Sequence, residues 1–344
     1  MATPAEPATI DVDQLLAEAD ALAAAGKPLE ALDLLAPVAP DCKVAAFERR
    51  LAQLRHAAFA HLHEDGFPEW PVPIEGVDRD APATLPRVAP GELTADAVRR
   101  GILSHGAVMV PGLFTGYAEQ FITGIEEALA SVKKGVAGRD KDDPWFSILP
   151  LTPEEGESLG RYWVLAAGGM LACDSPRLLQ QLFEAYAAVG LRDVIAGYLG
   201  ERPVLSAAKA TLRRVPLKSG TDWHQDGAFL GSGIRALNIW IALSDCGVDS
   251  PGMDLVPKRF DEVCETGTGG AIFDWAVGPE TVQRVAGDAT PVRPHFKAGD
   301  ALLFDDLYLH RTAIEPTMTK PRYAIESWFF AASCYPDGQV PLVW

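Results

Sequence analysis

VLSAAKATLRRV, residues 204–215, opens the half of the chain whose reading decides the fold. It reads as a strand, and the chain keeps that character beyond it. Residues 235–243, 254–256, Ala301–Phe304 with a continuation to His310, and 322–331 are further short apolar runs set between turn residues. Many short strands gathered in one half of a chain point to a sandwich or jelly roll. The expected fold is mainly β: a double-stranded β-helix (jelly roll, cupin-like) core with helices packed on its outer face.

Towards the N-terminus the pattern becomes helical. Leu15, Leu16, Ala19, Leu22 and Ala23 recur at helical spacing before a break at Gly26-Lys27-Pro28, and Leu29, Leu32, Leu34 and Leu35 continue on a second helix. Phe47, Leu51, Leu54 and Phe59 mark a third. The first two resemble one helical hairpin of a tetratricopeptide repeat, but only one copy is visible and stacked repeats need neighbours. Residues 1–63 therefore read as a helical region, either a cap on the main domain or an arm for protein contact or dimerisation. Residues 64–93 carry six prolines and read as a linker. Residues 94–344 read as the main domain: helix, strand and helix over 94–132, a loop and candidate lid over 133–160, one helix over 176–199, then the strands.

Bulk properties narrow the function. The net charge of −17 disfavours nucleic acid and anionic membrane surfaces, which need basic patches. A hydrophobic content of 48% fits a soluble globular protein, and no run is long enough to span a bilayer. The five cysteines are scattered without a CxxC pair, which argues against a disulfide framework or a zinc site. With no signal peptide apparent, a cytoplasmic protein is expected.

Within the β half, His224-Gln225-Asp226 is answered by His310 and then Arg322. On a strand, positions two apart share a face roughly 6–7 Å apart, close enough for one metal ion. Two imidazoles and one carboxylate can hold one face of an iron ion and leave the other open. An arginine beyond the distal histidine can grip the carboxylate of a co-substrate. Read as strand, loop and returning strand, residues 301–331 bring His310 and Arg322 together if the two strands pair. The structural alternatives are a hydrogen-bonded surface pair for His224 and Asp226, a core histidine for His310, and a salt bridge to Glu326 for Arg322. His56, His61 and His63 lie at helical spacing without a supporting carboxylate or thiol pattern, and His295 sits in a loop.

From residue 94 to 332 the chain resembles the phytanoyl-CoA dioxygenase family of Fe(II)/2-oxoglutarate oxygenases. Gly106-Ala-Val-Met-Val-Pro-Gly-Leu-Phe114, His224-Gln-Asp226, Asn238-Ile-Trp-Ile-Ala242, Pro251-Gly-Met-Asp-Leu-Val-Pro257 and the run from Gly299-Asp300 through His310-Arg-Thr312 to Arg322 carry the likeness. The resemblance implies His224, Asp226 and His310 as iron ligands and Arg322 as the 2-oxoglutarate clamp. It also places Thr312, Trp240 and Lys209 at the co-substrate. The implied activity is hydroxylation or another oxidation of a C–H bond in a small or medium organic molecule, consuming O2 and releasing succinate and CO2. Lys258-Arg259-Phe260 departs from the family, where many members carry G-S-H, and nothing before residue 94 matches.

Trp223, Phe229, Trp145, Tyr162 and Trp163 are candidates for an apolar substrate pocket or for ordinary packing. Lys133, Lys134, Arg139 and Lys141 form a small basic cluster that either meets an anionic substrate or is simply solvated. Two other functions stay open: a cupin-like metal-dependent dioxygenase or isomerase without 2-oxoglutarate, and a non-catalytic scaffold or sensor.

Overall fold

The computed structural model describes residues 11–134, 142–218 and 220–344. Arg139 and Lys141 of the basic cluster, and part of the candidate lid, lie outside them. The helices are α1 (Val12–Ala24), α2 (Pro28–Leu35), α3 (Ala45–Ala57), α4 (Ala95–His105), α5 (Ala118–Lys133), α6 (Pro153–Ser158), α7 (Arg161–Ala166), α8 (Pro176–Ala188), α9 (Leu191–Leu199), α10 (Gly227–Leu230) and α11 (Pro279–Ala286). The strands are β1 (Ala107–Val110), β2 (Gly169–Leu171), β3 (Val204–Val215), β4 (Ala236–Ala242), β5 (Gly252–Leu255), β6 (Ala301–Phe304), β7 (His310–Ala313), β8 (Arg322–Phe330) and β9 (Pro341–Val343). Helical residues outnumber strand residues among those described, so the chain is mixed helix and antiparallel sheet rather than mainly β.

Seven strands form one antiparallel sheet in the order β1-β6-β4-β8-β3-β2, with β9 added along β3. β5 and β7 form a second sheet. Alternation sorts the side chains of the large sheet. Leu237, Ile239 and Ile241 of β4 join Leu303, Ile325 and Phe329 in a core shared with Phe121 of α5 and Leu178 of α8. Trp240 of β4 faces the other way and packs with Phe304, Trp328, Met253 and Leu255, towards the small sheet. Both faces of β4 are therefore buried, as its run of buried residues shows.

The helices differ from the sequence expectation at one break. The stretch 176–199 is two helices, because Gly190 takes φ 76° between them, a left-handed conformation that a residue with a Cβ disfavours. The expected continuous strand from Ala301 to His310 is also broken. Residues 305–309 turn away from β6, and His310 begins β7 in the other sheet. The expected turn at Gly299-Asp300 is present: the Asp300 carboxylate accepts from the Gly112 and Lys297 backbone N–H groups at 2.8 Å each.

The N-terminal helices pack onto the large sheet's β9 edge and onto α8. The Arg55 guanidinium of α3 donates to the Val343 carbonyl at 2.8 Å and lies 3.9 Å from the Phe183 ring centroid. Glu48 of α3 pairs with Arg177, and Lys43 with Glu184 at 2.6 Å. Phe47, Leu51 and Leu54 share a core with Val204 and Val343. One face of this layer is thus spent on covering the β3–β9 edge. His56 pairs with Glu155 and the Pro341 carbonyl. No helix is long and apolar enough to cross a membrane among the described residues.

Candidate metal centre and its cavity

His224, Asp226 and His310 each present one ligand atom, and the three atoms lie within 4.8 Å of one another. The local conformation is not the one expected from spacing. His224 forms an antiparallel bridge to His310, with backbone hydrogen bonds of 2.9 and 3.0 Å in both directions. Asp226 then turns into the one-turn helix α10 with φ −64° and ψ −25°. The two side chains converge through a strand-to-helix turn, not along an extended strand. Gln225 between them faces inward and is fully buried. Its amide donates to the Leu307 and Glu262 carbonyls and accepts from the Cys264 N–H at 2.6 Å, fastening the turn to two neighbouring loops.

Gly227 is favoured by close approach. A Cβ there would stand 2.9 Å from the Asp306 carboxylate and 3.3 Å from its backbone oxygen, while the Gly227 N–H already donates to that oxygen.

Both imidazoles are oriented alike. His224 Nδ1 contacts the Asp222 carbonyl at 2.8 Å and His310 Nδ1 the Tyr308 carbonyl at 2.9 Å. A proton on each Nδ1 satisfies these carbonyls and leaves both Nε2 atoms as free donors to a metal. Burial, and then the neighbouring His310, hold the His224 pKa well below its ordinary value. Burial pushes the Asp226 carboxyl up to about 6, against the pull of His310 and Lys209. Asp226 Oδ2 is buried without a hydrogen-bond partner, 3.7 Å from His310 Nε2. A buried carboxylate oxygen left unpaired between two correctly turned imidazoles is what a divalent cation would satisfy.

These groups open into a cavity of about 580 Å³. Arg322 closes one side of it. Its Nη1 donates to the Gly252 carbonyl at 2.8 Å, its guanidinium lies 5.4 Å from the Trp240 ring, and its Nε is buried without a partner. The alternative for Arg322, a salt bridge to Glu326, is not formed. Glu326 instead meets Arg213 at 3.4 Å and accepts from Thr211 and Trp328 at 3.2 Å each. Burial opposes the ionisation of Glu326, but Arg213, Lys209 and the Trp328 N–H together hold its pKa below the ordinary value. Among the described residues Arg322 has no ion-pair partner, and burial lowers its pKa to about 10. It is charged at neutral pH, and an isolated buried cation costs several kcal/mol unless an anion joins it.

His310 and Arg322 do not come together by strand pairing. β7 pairs with β5 and β8 with β3 and β4, so the two residues belong to different sheets, both of which contribute to the cavity lining. Trp240 and Thr312 also line it, with Trp240 against Arg322. Lys209 lines it elsewhere, its Nζ 4.2 Å from the Phe229 ring centroid.

The aromatic candidates divide. Phe229 and Trp163 line the cavity, and Tyr162 is exposed beside Trp163. Trp145 packs against the main core and Trp223 in a separate cluster with Val256 and Leu309. In the divergent turn, Arg259 reaches back to pair with Asp305, so it braces the segment leading to His310.

Sequence reading missed Arg213, Thr211, Glu326, Asn238 and Trp275 as cavity residues. A signal existed for two of them. Thr211 and Arg213 alternate with apolar residues in β3, continuing the polar face begun by Lys209. Trp275 lies in an irregular stretch, where periodicity carries no information.

Residues 214–315 match the family model described as Phytanoyl-CoA dioxygenase (PhyH). This segment is PhyH-like; it contains His224, Asp226 and His310 and ends before Arg322. No curated protein matches the chain in sequence. Several solved structures are similar. The non-heme alpha-ketoglutarate-dependent carbocyclase SnoK from nogalamycin biosynthesis is 16% identical, with a TM-score of 0.45 over 71% of this chain and 87% of that one. EctD from S. alaskensis, solved with 2-oxoglutarate and 5-hydroxyectoine, is 17% identical, with a TM-score of 0.41 over 69% and 76%. AviO1 from Streptomyces viridochromogenes Tue57 is 18% identical, with a TM-score of 0.42 over 71% and 98%.

Proposed function

We propose that this chain, PhyH-like over residues 214–315, is a non-haem Fe(II)- and 2-oxoglutarate-dependent dioxygenase that oxidises a C–H bond of a small or medium organic molecule. In this reading the two sheets are the walls of a double-stranded β-helix. Residues 94–344 are the catalytic unit, 64–93 the linker and 1–63 a helical cap. The observation that carries the proposal is the pairing, in one cavity, of the His224–Asp226–His310 cluster with a buried arginine that lacks an anionic partner among the described residues.

The donor set fits Fe(II): two neutral imidazole nitrogens and one carboxylate would hold the ion and leave further positions open to a co-substrate. When bound, the iron with 2-oxoglutarate and O2 supplies the oxidising power, and succinate and CO2 are released. The protein's part is positioning. The Asp222 and Tyr308 carbonyls fix the imidazole tautomers, and the inward Gln225 holds the turn that brings Asp226 to them. Arg322 would take the distal carboxylate of 2-oxoglutarate, with Thr312 and Trp240 beside it. Trp240 packs against Arg322 and Phe304 against His310, and both rings are buried. With Asp226 present, the carboxylate would take the metal position that a halide needs, which favours oxygenation over halogenation.

A metal enzyme that does without 2-oxoglutarate has no use for a buried, unmatched arginine in its pocket, which disfavours the cupin-like alternative. The test is spectroscopic. Metal-free protein given Fe(II) and 2-oxoglutarate anaerobically is expected to develop a metal-to-ligand charge-transfer band. His310→Ala abolishes it, with Fe(II) affinity falling further than the roughly 10–100-fold brought by disturbing an outer-shell partner. A folded, iron-loaded wild type without the band overturns the proposal.

A further inference from the structure

The co-substrate end of the cavity is electrically complete once filled, and the remainder is not. On the reading proposed above, the charges of Fe(II), Asp226, 2-oxoglutarate and Arg322 cancel. Three charged side chains still line the cavity: Arg213, Glu326 and Lys209. Arg213 and Glu326 form an ion pair of 3.4 Å, and Thr211 and Trp328 supply further hydrogen bonds to that carboxylate. Lys209 makes no hydrogen bond or ion pair among the described residues; its charge acts at longer range on Asp226, which on this reading the iron matches, and on Glu326, which Arg213 matches. Its ammonium rests over the Phe229 ring, a contact that orients a cation without neutralising it. One positive charge is therefore left for a ligand.

The surface around that charge is aromatic. The Phe229 and Trp275 ring centroids lie 6.1 Å apart, edge to face, and Trp275 stacks on Phe273 at 5.1 Å with only 5° between planes. Trp163 lines the cavity yet is 74% exposed, and Phe273 is 52% exposed. Large exposed rings at the rim of a cavity are unusual in a protein with nothing to bind there. Flat faces of this kind suit a flat apolar body.

We infer that the substrate is a monoanion: a carboxylate-bearing molecule with an aromatic or otherwise planar apolar body, its carboxylate met by Lys209 and its body held by Phe229, Trp275 and Trp163. A cationic substrate is disfavoured because Glu326 is already matched. The assignment also moves Lys209 from the co-substrate, where family resemblance put it, to the substrate.

The experiment uses the whole chain loaded anaerobically with Fe(II) and 2-oxoglutarate. The probes are 2-naphthoate, 2-naphthamide and 2-naphthylmethylamine, and binding is read from tryptophan fluorescence and from perturbation of the charge-transfer band. Naphthoate is expected to bind at least about tenfold more tightly than the other two, the loss expected when one charge-assisted hydrogen bond is removed. Lys209→Met should erase that preference and Lys209→Arg should keep it, with the unperturbed band retained in both. Equal binding of the three probes, no binding of any at millimolar concentration, or a preference that survives Lys209→Met overturns the inference. So does loss of the band in Lys209→Met, which would return the lysine to the co-substrate. Absence of the band in wild type is a different failure, that of the 2-oxoglutarate reading itself.

Discussion

The two ends of the cavity are built in opposite ways. At the Arg322 end the guanidinium and Trp240 are buried, the guanidinium is aimed by a backbone carbonyl, and Trp240 lies against it. The open part of the lining carries exposed rings, Trp163 on the short helix α7 and Phe229 on α10. The closed end suits a ligand that never changes, since a preformed and desolvated site binds one molecule at low ordering cost. The open end suits a ligand recognised by shape and one charge.

The sharpest way to break this comparison is to neutralise the closed end. Arg322→Met is expected to weaken 2-oxoglutarate binding by about 100-fold, the scale for losing one partner of a buried charge pair. The same change should leave the ligand-free melting temperature unchanged or raised, because the buried cation has no ion-pair partner among the described residues. Calorimetric binding and thermal melting of one variant check both halves, and a large drop in ligand-free stability would show that Arg322 is structural.

A second expectation concerns pH. The Asp226 pKa, raised to about 6 by burial, means that the metal-free fold favours the protonated carboxyl. That contribution to stability is full below the ordinary aspartate range and is lost as pH rises through about 6. Fe(II) needs the ionised form, so its apparent affinity should fall by about tenfold per pH unit below that point and level off above it. Anaerobic metal titrations between pH 5 and 8 check the slope. A pH-independent affinity would mean that Asp226 is not a ligand.

The smallest effect belongs to the open end. Trp163→Ala should change stability by no more than about 0.5 kcal/mol, as for other exposed positions. It should nevertheless weaken binding of 2-naphthoate. A substantial loss of stability in denaturant unfolding would make Trp163 a packing residue and remove the contrast between the two ends.

What could be read in the sequence follows the same division. β3, β4, β6 and β8 were legible because strong apolar runs sit between turn residues, and His224, Asp226, His310 and Arg322 stood out against them. The conformation at Asp226 was not legible, because spacing of two is compatible with an extended strand and with the turn into α10. Nor was the break at residue 305, since an apolar run does not record that the chain has changed sheets. β2 and β9 are three residues each, too short to show a period. The Arg213–Glu326 pair joins strands more than a hundred residues apart in sequence, and only the register of β3 against β8, which sets Thr211 opposite Glu326, brings it into view.

Gln225 has one further use. Its carbonyl oxygen is held by the backbone N–H of Cys264, a free, half-buried thiol outside the cavity lining. Burial raises that thiol's pKa, so it would take up an alkylating dye slowly. A dye placed there would sit one side chain from the turn that carries His224 and Asp226, and would report metal loading by fluorescence without a probe in the cavity.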